Sequence, residues 1–269
     1  MTMDKTTLIA RAAQEPEDRL LLARVLDKYE QCQRKNIPAA TPFLSPREQA
    51  MAQSLLAAAG VRDGFLSGGG YQEAERKILV FLPDWADAPP EEELAFLRAS
   101  FHGPDSSLTH RDILGSLMGL GVERDRLGDI LVSAHSADIV AAASLRDFFL
   151  REWGEAGRVR LTVTEIGREN LEVPQAQVKT VRDTVSSLRL DAVAASAFGL
   201  SRGRAAELIA AGRVSLDHAA CLKPDKQVGQ GAVLTARGLG KAKLIEVGGL
   251  TKKGRVGIVT MNRPDALNA

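Results

Sequence analysis

A chain of 269 residues can hold two or three small domains, each large enough to bury a hydrophobic core. Apolar residues make up 45% of the chain and charged residues 26%, which are the values of an ordinary globular protein. Aromatic residues make up only 4%, which disfavours a surface that stacks single-stranded bases on aromatic rings. No apolar run approaches the roughly 18 residues of a membrane helix, and the first residues lead into no apolar signal segment.

The net charge of +1 conceals an uneven distribution along the chain. Residues 186–263 contain 13 Lys and Arg against 5 Asp and Glu, which gives a net charge of +8. Residues 1–185 contain 22 against 28, which gives a net charge of −6. The basic end of such a polarised chain is the part expected to meet phosphates. A basic domain that is merely well solvated is the competing interpretation.

Cysteine and histidine usage bears on compartment and cofactors. Cys32 and Cys221 lie far apart and form no CxxC motif, so we expect two free thiols in a reducing cytosol rather than a disulfide. The four histidines show no spacing typical of metal ligands. The sequence therefore predicts a cytoplasmic protein without a metal or another cofactor.

Residues 1–88 are predicted to form an N-terminal α/β domain whose first 60 residues are mostly helical. Ser45 is expected to cap a helix, with Glu48 three residues later completing a capping box. That helix should end at Gly60, because glycine readily adopts the left-handed conformation that stops a helix. Two predicted strands and a linker follow, at 62–66, 76–82 and 84–93.

Residues 89–173 are predicted to form a ferredoxin-like plait with the order βαββαβ. Thr109 and Asp112 are expected to make the capping box of its first helix. The predicted strand 137–142 carries no aromatic residue, whereas plaits that read RNA carry aromatic residues on their central strands. We therefore interpret this domain as a spacer, or as a module that docks on a protein or on the ribosome. Its predicted strands and helices are 94–101, 110–118, 129–133, 137–142, 145–153 and 159–166.

Residues 174–263 are predicted to form a small C-terminal α+β domain, followed by a tail at 264–269. A short helix is expected at 178–187, and a second helix should end at Gly199. A third helix at 204–211 is capped by Ser201 and ended by Gly212. Strands are predicted at 213–217, 233–236 and 243–247. The fold class predicted for the whole chain is α+β.

The start of the third helix of this domain carries the main functional signal. Ser201 can satisfy free amides there, and a helix N-terminus carries partial positive charge that attracts phosphate. Arg202 and Arg204 add guanidinium groups that suit phosphate oxygens, and Arg213 follows the helix on the same predicted surface. The competing interpretation is that Arg204 and Glu207 form only a surface ion pair at i,i+3 spacing.

The segment from Arg189 to Val247 resembles the RNA-binding domain of ribosomal small-subunit protein four, here called the S-four-type domain. It shares an Arg-Leu-Asp start, a Ser-Arg-x-x-Ala helix and a Leu-Ile-x-x-Gly-x-Val turn into a strand. The resemblance implies that five residues face structured RNA: Arg189, Ser201, Arg202, Arg204 and Arg213. Many relatives have Asn-Gly after the first strand, whereas this chain has Asp217-His218.

Further basic residues alternate with glycines after the helix pair and are expected on hairpins beside it. Each phosphate that they neutralise releases condensed counterions, so binding should weaken steeply with salt. Folded, double-stranded RNA suits this surface, because it offers shape and phosphates more readily than base edges. These predicted RNA-binding residues are Arg237, Lys241, Lys243, Lys252, Lys253 and Arg255.

Four segments carry a second resemblance: Gly69–Lys77, His110–Gly121, Gly128–Ile130 and Gly240–Leu244. They are similar to the YlmH family, and the resemblance covers nearly all of the chain up to about residue 260. The resemblance implies a non-catalytic protein that binds rRNA or tRNA on large ribosomal subunits holding peptidyl-tRNA, in the rescue of stalled bacterial translation. It also implies a link to cell division.

Two alternative functions remain open from the residues. The first is an RNA-modifying enzyme, related to pseudouridine synthases or methyltransferases, that uses the S-four-type domain as a targeting arm. Residues 1–185 offer neither a cofactor loop nor a positioned nucleophile for that role. His110-Arg111-Asp112 resembles a kinase catalytic loop, but Leu117 stands where asparagine is required. The second is a protein-interaction scaffold for which RNA binding is incidental.

Overall fold

The computed structural model describes residues 4–86, 88, 93–102, 108–174, 179–251 and 255–263. The chain divides into two compact units, Met1–Pro174 and Gln175–Ala269. Part of the expected linker at 84–93 and the expected tail at 264–269 lie outside the described residues.

The first unit begins with a helical layer over a small sheet. Its sheet has the strand order β1-β3-β2 and is antiparallel. Leu22, Val25 and Leu55 of the helices pack with Phe81 of the sheet in one buried cluster. The elements are α1 Lys5–Ala12, α2 Pro16–Lys35, β1 Ala39–Ala40, α3 Pro46–Ala58, β2 Phe65–Gly68 and β3 Ile78–Phe81.

Two capping boxes confirm the predicted helix starts in this unit. Ser45 accepts a hydrogen bond from the Glu48 amide, and the Glu48 carboxylate accepts one from the Ser45 amide at 2.6 Å. Thr109 and Asp112 make the same reciprocal pair at the start of the helix that begins at His110. Both boxes satisfy amides that a helix start otherwise leaves without partners.

The second half of this unit is the predicted ferredoxin-like plait. Its sheet has the order β5-β6-β4-β9, which is the order that βαββαβ connectivity gives to a plait. The predicted last strand at 159–166 is broken at Leu161, because an additional short hairpin, β7 with β8, precedes the final strand. The elements are β4 Leu94–Ser100, α4 His110–Gly119, β5 Leu127–Val132, β6 Ser136–Ala142, α5 Arg146–Glu152, β7 Glu155–Ala156, β8 Val159–Arg160 and β9 Thr162–Glu165.

The plait packs its helices on one face of the sheet and the N-terminal part on the other. Val140 of β6 is fully buried in a cluster with Phe43 and Val80 of the N-terminal part. Gly128 of β5 lies so close to Phe43 that a Cβ atom there would stand 2.7 Å from the ring. The face on which other plaits bind RNA is therefore filled by packing within this unit.

A buried carboxylate fixes this packing. Asp129 of β5 is fully buried and accepts hydrogen bonds from the Tyr71 hydroxyl at 2.7 Å and from the amides of Glu75 at 2.7 Å and Arg76 at 3.0 Å. Burial, together with the charge of Asp129, raises the pKa of the Tyr71 hydroxyl. Because a buried carboxylate is costly without donors, these three bonds tie the loop before β3 to the plait.

The second unit is a six-stranded antiparallel sheet with two helices on one face. Its strand order is β10-β15-β14-β13-β11-β12. The expected helix at 178–187 is wrong, because residues 179–185 form strand β10, which pairs with β15 along its whole length. The elements are β10 Lys179–Val185, α6 Leu190–Phe198, α7 Arg202–Ala210, β11 Val214–Leu216, β12 Ala219–Ala220, β13 Val233–Ala236, β14 Gly240–Leu250 and β15 Val256–Arg263.

The core of this unit lies between the two helices and the sheet. Leu190 and Val193 of α6 and Ile209 of α7 are fully buried against Leu234 and Leu244 of the sheet. Both helices end as predicted, at glycines with positive φ. This packing holds the N-terminus of α7 at a fixed place beside α6.

Candidate nucleic-acid interface

The N-terminus of α7 is capped as the sequence predicts. The Ser201 hydroxyl accepts a hydrogen bond from the Arg204 amide at 3.2 Å. Ala205, Leu208 and Ile209 form the buried side of the helix, so Arg202 and Arg204 stand on its exposed side. A capped helix start with two arginines in its first turn is an arrangement that favours anions.

Arg189 and Arg202 share one buried carboxylate. The Asp191 side chain is 7% exposed, and it accepts a hydrogen bond from Arg189 Nη2 at 3.0 Å. Arg202 Nη2 lies 3.2 Å from the other oxygen of the same carboxylate, and Arg202 Nη1 donates to the Ser186 hydroxyl at 3.3 Å. The guanidinium groups of Arg189 and Arg202 thus have fixed positions, while 37% and 48% of these side chains stay exposed.

The electrostatics of this group follow from its burial and its partners. Burial raises the pKa of Asp191, but the hydrogen bonds from Arg189 and Arg202 lower it by more, so the pKa lies below its ordinary value. Asp191 is therefore ionised at neutral pH. Two arginines and one carboxylate leave a local charge of about +1 instead of +2.

Arg204 forms the surface pair that the sequence left as an alternative. Its Nη1 lies 2.9 Å from the Glu207 carboxylate, and the two side chains are 55% and 68% exposed. Such an exposed pair contributes only about 0–1 kcal/mol, so a phosphate can displace Glu207 at little cost. The pair lowers the net charge of the helix start without removing Arg204 from it.

A cavity of about 450 Å³ adjoins the start of α7. Arg202 and Arg255 both line it, together with Ser186, Ser196 and the carboxylate of Asp183. Arg255 is oriented by a hydrogen bond of 3.0 Å from its Nε to the Thr184 hydroxyl. The structure thus brings together two arginines that are far apart in sequence, on the walls of one polar cavity. We call Arg189, Arg202, Arg204 and Arg255 the tip surface.

The N-terminus of α6 differs from that of α7 in the partners of its backbone amides. The Leu190 amide donates to the Lys226 carbonyl at 2.8 Å, and the Asp191 amide donates to the Pro224 carbonyl at 2.9 Å. These amides are therefore satisfied within the protein, so the start of α6 offers less to an anion than the start of α7 does.

Four other predicted RNA-binding residues that the structure describes lie away from the tip surface. Arg213 and Arg237 adjoin each other, since the Arg237 amide donates to the Arg213 carbonyl at 3.0 Å. They lie beyond the far end of α7, about 14 Å along the helix axis from Arg202 at 1.5 Å per residue. Lys241 and Lys243 lie on the sheet face opposite the helices, because their neighbours Ala242 and Leu244 point into the core. Lys252 and Lys253 lie outside the described residues.

Sequence reasoning missed two members of this region. Asp191 lies within the Arg-Leu-Asp start, but the sequence gives no sign that its carboxylate also binds Arg202. Ser186 falls in a segment interpreted as helix, so its position beside Arg202 was not predicted. A strand prediction for 179–185 would have placed Ser186 directly after that strand and next to α6.

Within the part of the chain that the structure describes, no group of three or more His, Cys, Asp and Glu side chains could hold a metal ion. Among the described helices, none is long and apolar enough to cross a bilayer.

Comparison with known proteins identifies the class. The model described as "S4 domain" matches residues 188–234, and the model described as "Putative RNA-binding domain in YlmH" matches residues 93–170. Together with the capped, arginine-bearing helix start, these matches define an RNA-binding protein with an S-four-type domain. The model described as "YlmH, N-terminal" matches residues 17–84.

A curated relative establishes the family. The chain is 35% identical over 216 residues to "Ribosome-associated protein quality control protein P2" of Bacillus subtilis (strain 168), an alignment that covers 79% of this chain and 82% of that protein. The chain belongs to the YlmH family, as the sequence resemblance predicted. A solved structure, "Cell division protein ylmH from Streptococcus pneumoniae", is 24% identical and has a TM-score of 0.49, with 60% of this chain and 98% of that chain covered.

The S4 match includes some of the predicted RNA-binding residues and leaves others out. The S-four match includes Arg189, Ser201, Arg202, Arg204 and Arg213 and ends before Arg237. Neither the matched family descriptions nor the name of the relative refers to an enzyme, so they give the RNA-modifying alternative no support.

Proposed function

We propose that this protein acts without catalysis, by holding structured rRNA or tRNA through the tip surface of its C-terminal unit. The observation that carries this proposal is the capped start of α7, where Arg189 and Arg202 are held in place by one carboxylate and remain partly exposed. Guanidinium groups with fixed positions lose little freedom when they bind a phosphate, which favours recognition of a rigid, folded backbone.

The cavity beside α7 supports the same proposal. Arg202 of α7 and Arg255, which directly precedes β15, both line it beside one carboxylate, Asp183, so the described lining attracts a phosphate at its mouth. Among the described residues the lining contains no aromatic side chain, which favours contact with phosphate and ribose over stacking of bases. A backbone-directed surface of this kind recognises the shape of folded RNA more than its sequence.

The cellular setting comes from the relative. The Bacillus subtilis protein is named for ribosome-associated quality control, and this chain aligns with most of its length. We infer that the present protein binds the large ribosomal subunit in the cytoplasm when that subunit holds peptidyl-tRNA, and that it acts in the rescue of stalled translation. The plait and the N-terminal part, which bury each other's sheet faces, form the acidic body that positions the basic unit or excludes other factors.

The test is filter binding of the full chain to purified large ribosomal subunits, with and without peptidyl-tRNA. The double variant Arg202→Ala/Arg204→Ala should lose at least about tenfold in affinity at ~0.15 M salt, and the slope of log K against log salt should flatten by about 1.5. The matched control is Arg34→Ala/Arg62→Ala, which removes two exposed arginines from the acidic unit and should change affinity less than about twofold.

Three results would overturn the proposal. The first is unchanged affinity of the tip variant. The second is an equal loss in both double variants, since that would indicate a general charge effect rather than a binding surface. The third is the appearance of modified nucleotides in the RNA after incubation with the wild type, because that would restore the enzyme alternative.

A further inference from the structure

The sheet of the C-terminal unit has two chemically different faces. The helices cover one face, where Leu234, Leu244 and Ile258 are buried. Successive side chains of a strand point to opposite faces, so the residues between these core positions lie on the other face. We call this other side the open face. It carries Thr180, Arg182, Ser215, Thr235, Lys241, Lys243, Val259 and Met261.

The strand register sets the spacing of the cations on the open face. Lys243 and Thr180 flank Met261 from the two strands beside it, and Arg182 flanks Val259 two residues further along. With strands about 4.8 Å apart and about 3.4 Å between residues, the Cα atoms of Arg182 and Lys243 are about 12 Å apart. Lys241 pairs with Thr235, which pairs in turn with Ser215, so hydroxyl groups continue the cationic row.

The charge balance of this face is positive. Arg182 and Lys243 are exposed, and within the described residues neither forms an ion pair with a carboxylate. Glu246, which pairs with Val259 beyond a bulge, is the single acidic side chain that the register places on the face among the residues described. Three cations against one carboxylate, with hydroxyls between them, complement a polyanion.

The side chains of the open face indicate which kind of polyanion it can bind. The side chains that the register places there include no aromatic ring within the described strands, so stacking of unpaired bases has no platform. Lysine, arginine and hydroxyl groups on an exposed sheet face instead match the phosphate and ribose groups along an RNA backbone. The face is also continuous with the segment matched as S4 domain, since β11 and the start of β13 belong to both.

We propose that the open face is a second RNA-contacting surface, separate from the tip surface, on which Arg182, Lys241 and Lys243 bind the phosphate–ribose backbone of structured RNA. The inference rests on the proposed function in that RNA is the partner. It adds a surface on the opposite side of the sheet from α6 and α7. The thickness of the sheet therefore separates the open face from these helices. Arg182 on β10 precedes the segment matched as S4 domain, and Lys241 and Lys243 on β14 follow it, so all three proposed contact residues lie outside that match.

The experiment measures binding of the full chain to protein-free RNA extracted from large ribosomal subunits, and to the intact subunits. The face variant is Arg182→Gln/Lys243→Gln, and the tip variant is Arg202→Ala/Arg204→Ala. The matched control is Arg34→Gln/Arg62→Gln, which removes two positive charges from exposed positions of the first unit. Arg182→Lys/Lys243→Arg tests whether charge alone restores binding.

The face variant should bind protein-free RNA about tenfold more weakly at ~0.15 M salt, with a salt slope flatter by about 1.5. Its fold-loss should multiply with that of the tip variant in the combined protein, because distant sites act additively in free energy. The charge-conserving variant should bind within about twofold of the wild type. The control should lose less than about twofold, since its two arginines belong to neither surface.

The outcomes separate the two proposals. A face variant that binds like the control, beside a weakened tip variant, overturns the open-face proposal and leaves the proposed function standing. A weakened face variant beside an unchanged tip variant supports the open face and overturns the tip surface. A loss seen only with intact subunits, and not with protein-free RNA, shows that the open face contacts a ribosomal protein and overturns the proposal.

Discussion

The Asp191 carboxylate lies 3.2 Å from the guanidinium of Arg202 and so connects the first turn of α6 to the first turn of α7. Arg189 reaches the same carboxylate from the residue that precedes α6. A single buried acid therefore sets the relative positions of two cations that would otherwise repel each other. This relationship predicts a specific response to pH and to substitution.

Asp191→Asn should destabilise the α6–α7 pair by about 1–3 kcal/mol at pH 7, because a neutral amide replaces the charged acceptor of two arginines. The folded pKa of Asp191 lies below the value of about 3.9 expected for an unfolded chain. Its contribution to stability is thus fully present above that value and is lost as the pH falls through the folded pKa. Amide hydrogen exchange of α6 and α7 measures the difference between the two proteins, which should shrink in acid. A difference that stays constant below pH 4 would contradict this account.

Substitutions of Ser201 separate its capping role from its place at the tip surface. Ser201→Ala should cost about 1 kcal/mol of stability, because the Arg204 amide loses its acceptor. Ser201→Asp should keep the cap and the stability, since aspartate is an equally good N-cap. It also adds a negative charge among the arginines, so it should weaken RNA binding more than alanine does. We therefore expect Ser201→Ala to be the less stable variant and Ser201→Asp to be the weaker RNA binder. Thermal unfolding measures the stability of the two variants, and filter binding measures their affinity for RNA.

Glu207→Gln should strengthen RNA binding, which is the opposite of what most substitutions at an interface do. The change frees Arg204 from its exposed partner and raises the charge of the tip surface by one. We expect a gain of about two- to fivefold at ~0.1 M salt that disappears near ~1 M, where the screening length is only about 3 Å. Stability should stay within about 0.5 kcal/mol. Titrations at both salt concentrations provide the measurement, and weaker binding at low salt would count against the tip surface.

Gly128→Ala should destabilise the first unit by about 1–3 kcal/mol, because the added methyl group meets the Phe43 ring and the Val140 side chain. Gly115→Ala is the matched control, since it lies inside α4 with open space at its Cβ position. The control should be neutral or stabilising by up to about 1 kcal/mol, because alanine favours a helix. Both tryptophans of the chain belong to the first unit, and Trp153 is buried, so fluorescence in a urea titration reports the stability of this unit alone.

Much of the fold could be predicted because its signals are local. The capping boxes at Ser45 and Thr109 and the helix ends at Gly199 and Gly212 depend on residues within four positions of each other. The strand and helix order of the plait followed from hydrophobic patterns of ordinary length. Short-range sequence signals therefore predicted most helix and strand boundaries to within a few residues.

Strand β10 could not be predicted in the same way. Val178, Val181 and Val185 recur at helical spacing, which favoured a helix over a strand. The strand forms because residues 179–185 pair with β15, whose residues lie more than 70 positions later. β-branched side chains at Thr180, Val181, Thr184 and Val185 fit that pairing, but such propensity depends on context. Long-range pairing decided the structure here, and its partner could not be identified from the segment itself.

The candidate site was predicted in part for the same reason. Ser201, Arg202 and Arg204 are close in sequence, so the helix start between them was visible in the pattern. The grouping of Arg255 with Arg202 and the placement of Lys241 and Lys243 on the opposite face depend on the six-stranded sheet. For these three residues the sequence predicted RNA binding from their charge alone. Their positions relative to Arg202 became visible only in the folded structure.

The pairing of β10 with β15 also has a consequence for biosynthesis. β10 leaves the ribosome before every other element of its unit, yet its partner strand is made after all of them. During translation β10 therefore lacks its partner strand. The backbone groups that later pair with β15 stay without that partner while α6, α7 and the inner strands are synthesised. Such distant pairing slows folding and leaves a strand open to aggregation, so closure of this sheet should be the last and slowest step in the maturation of the C-terminal unit.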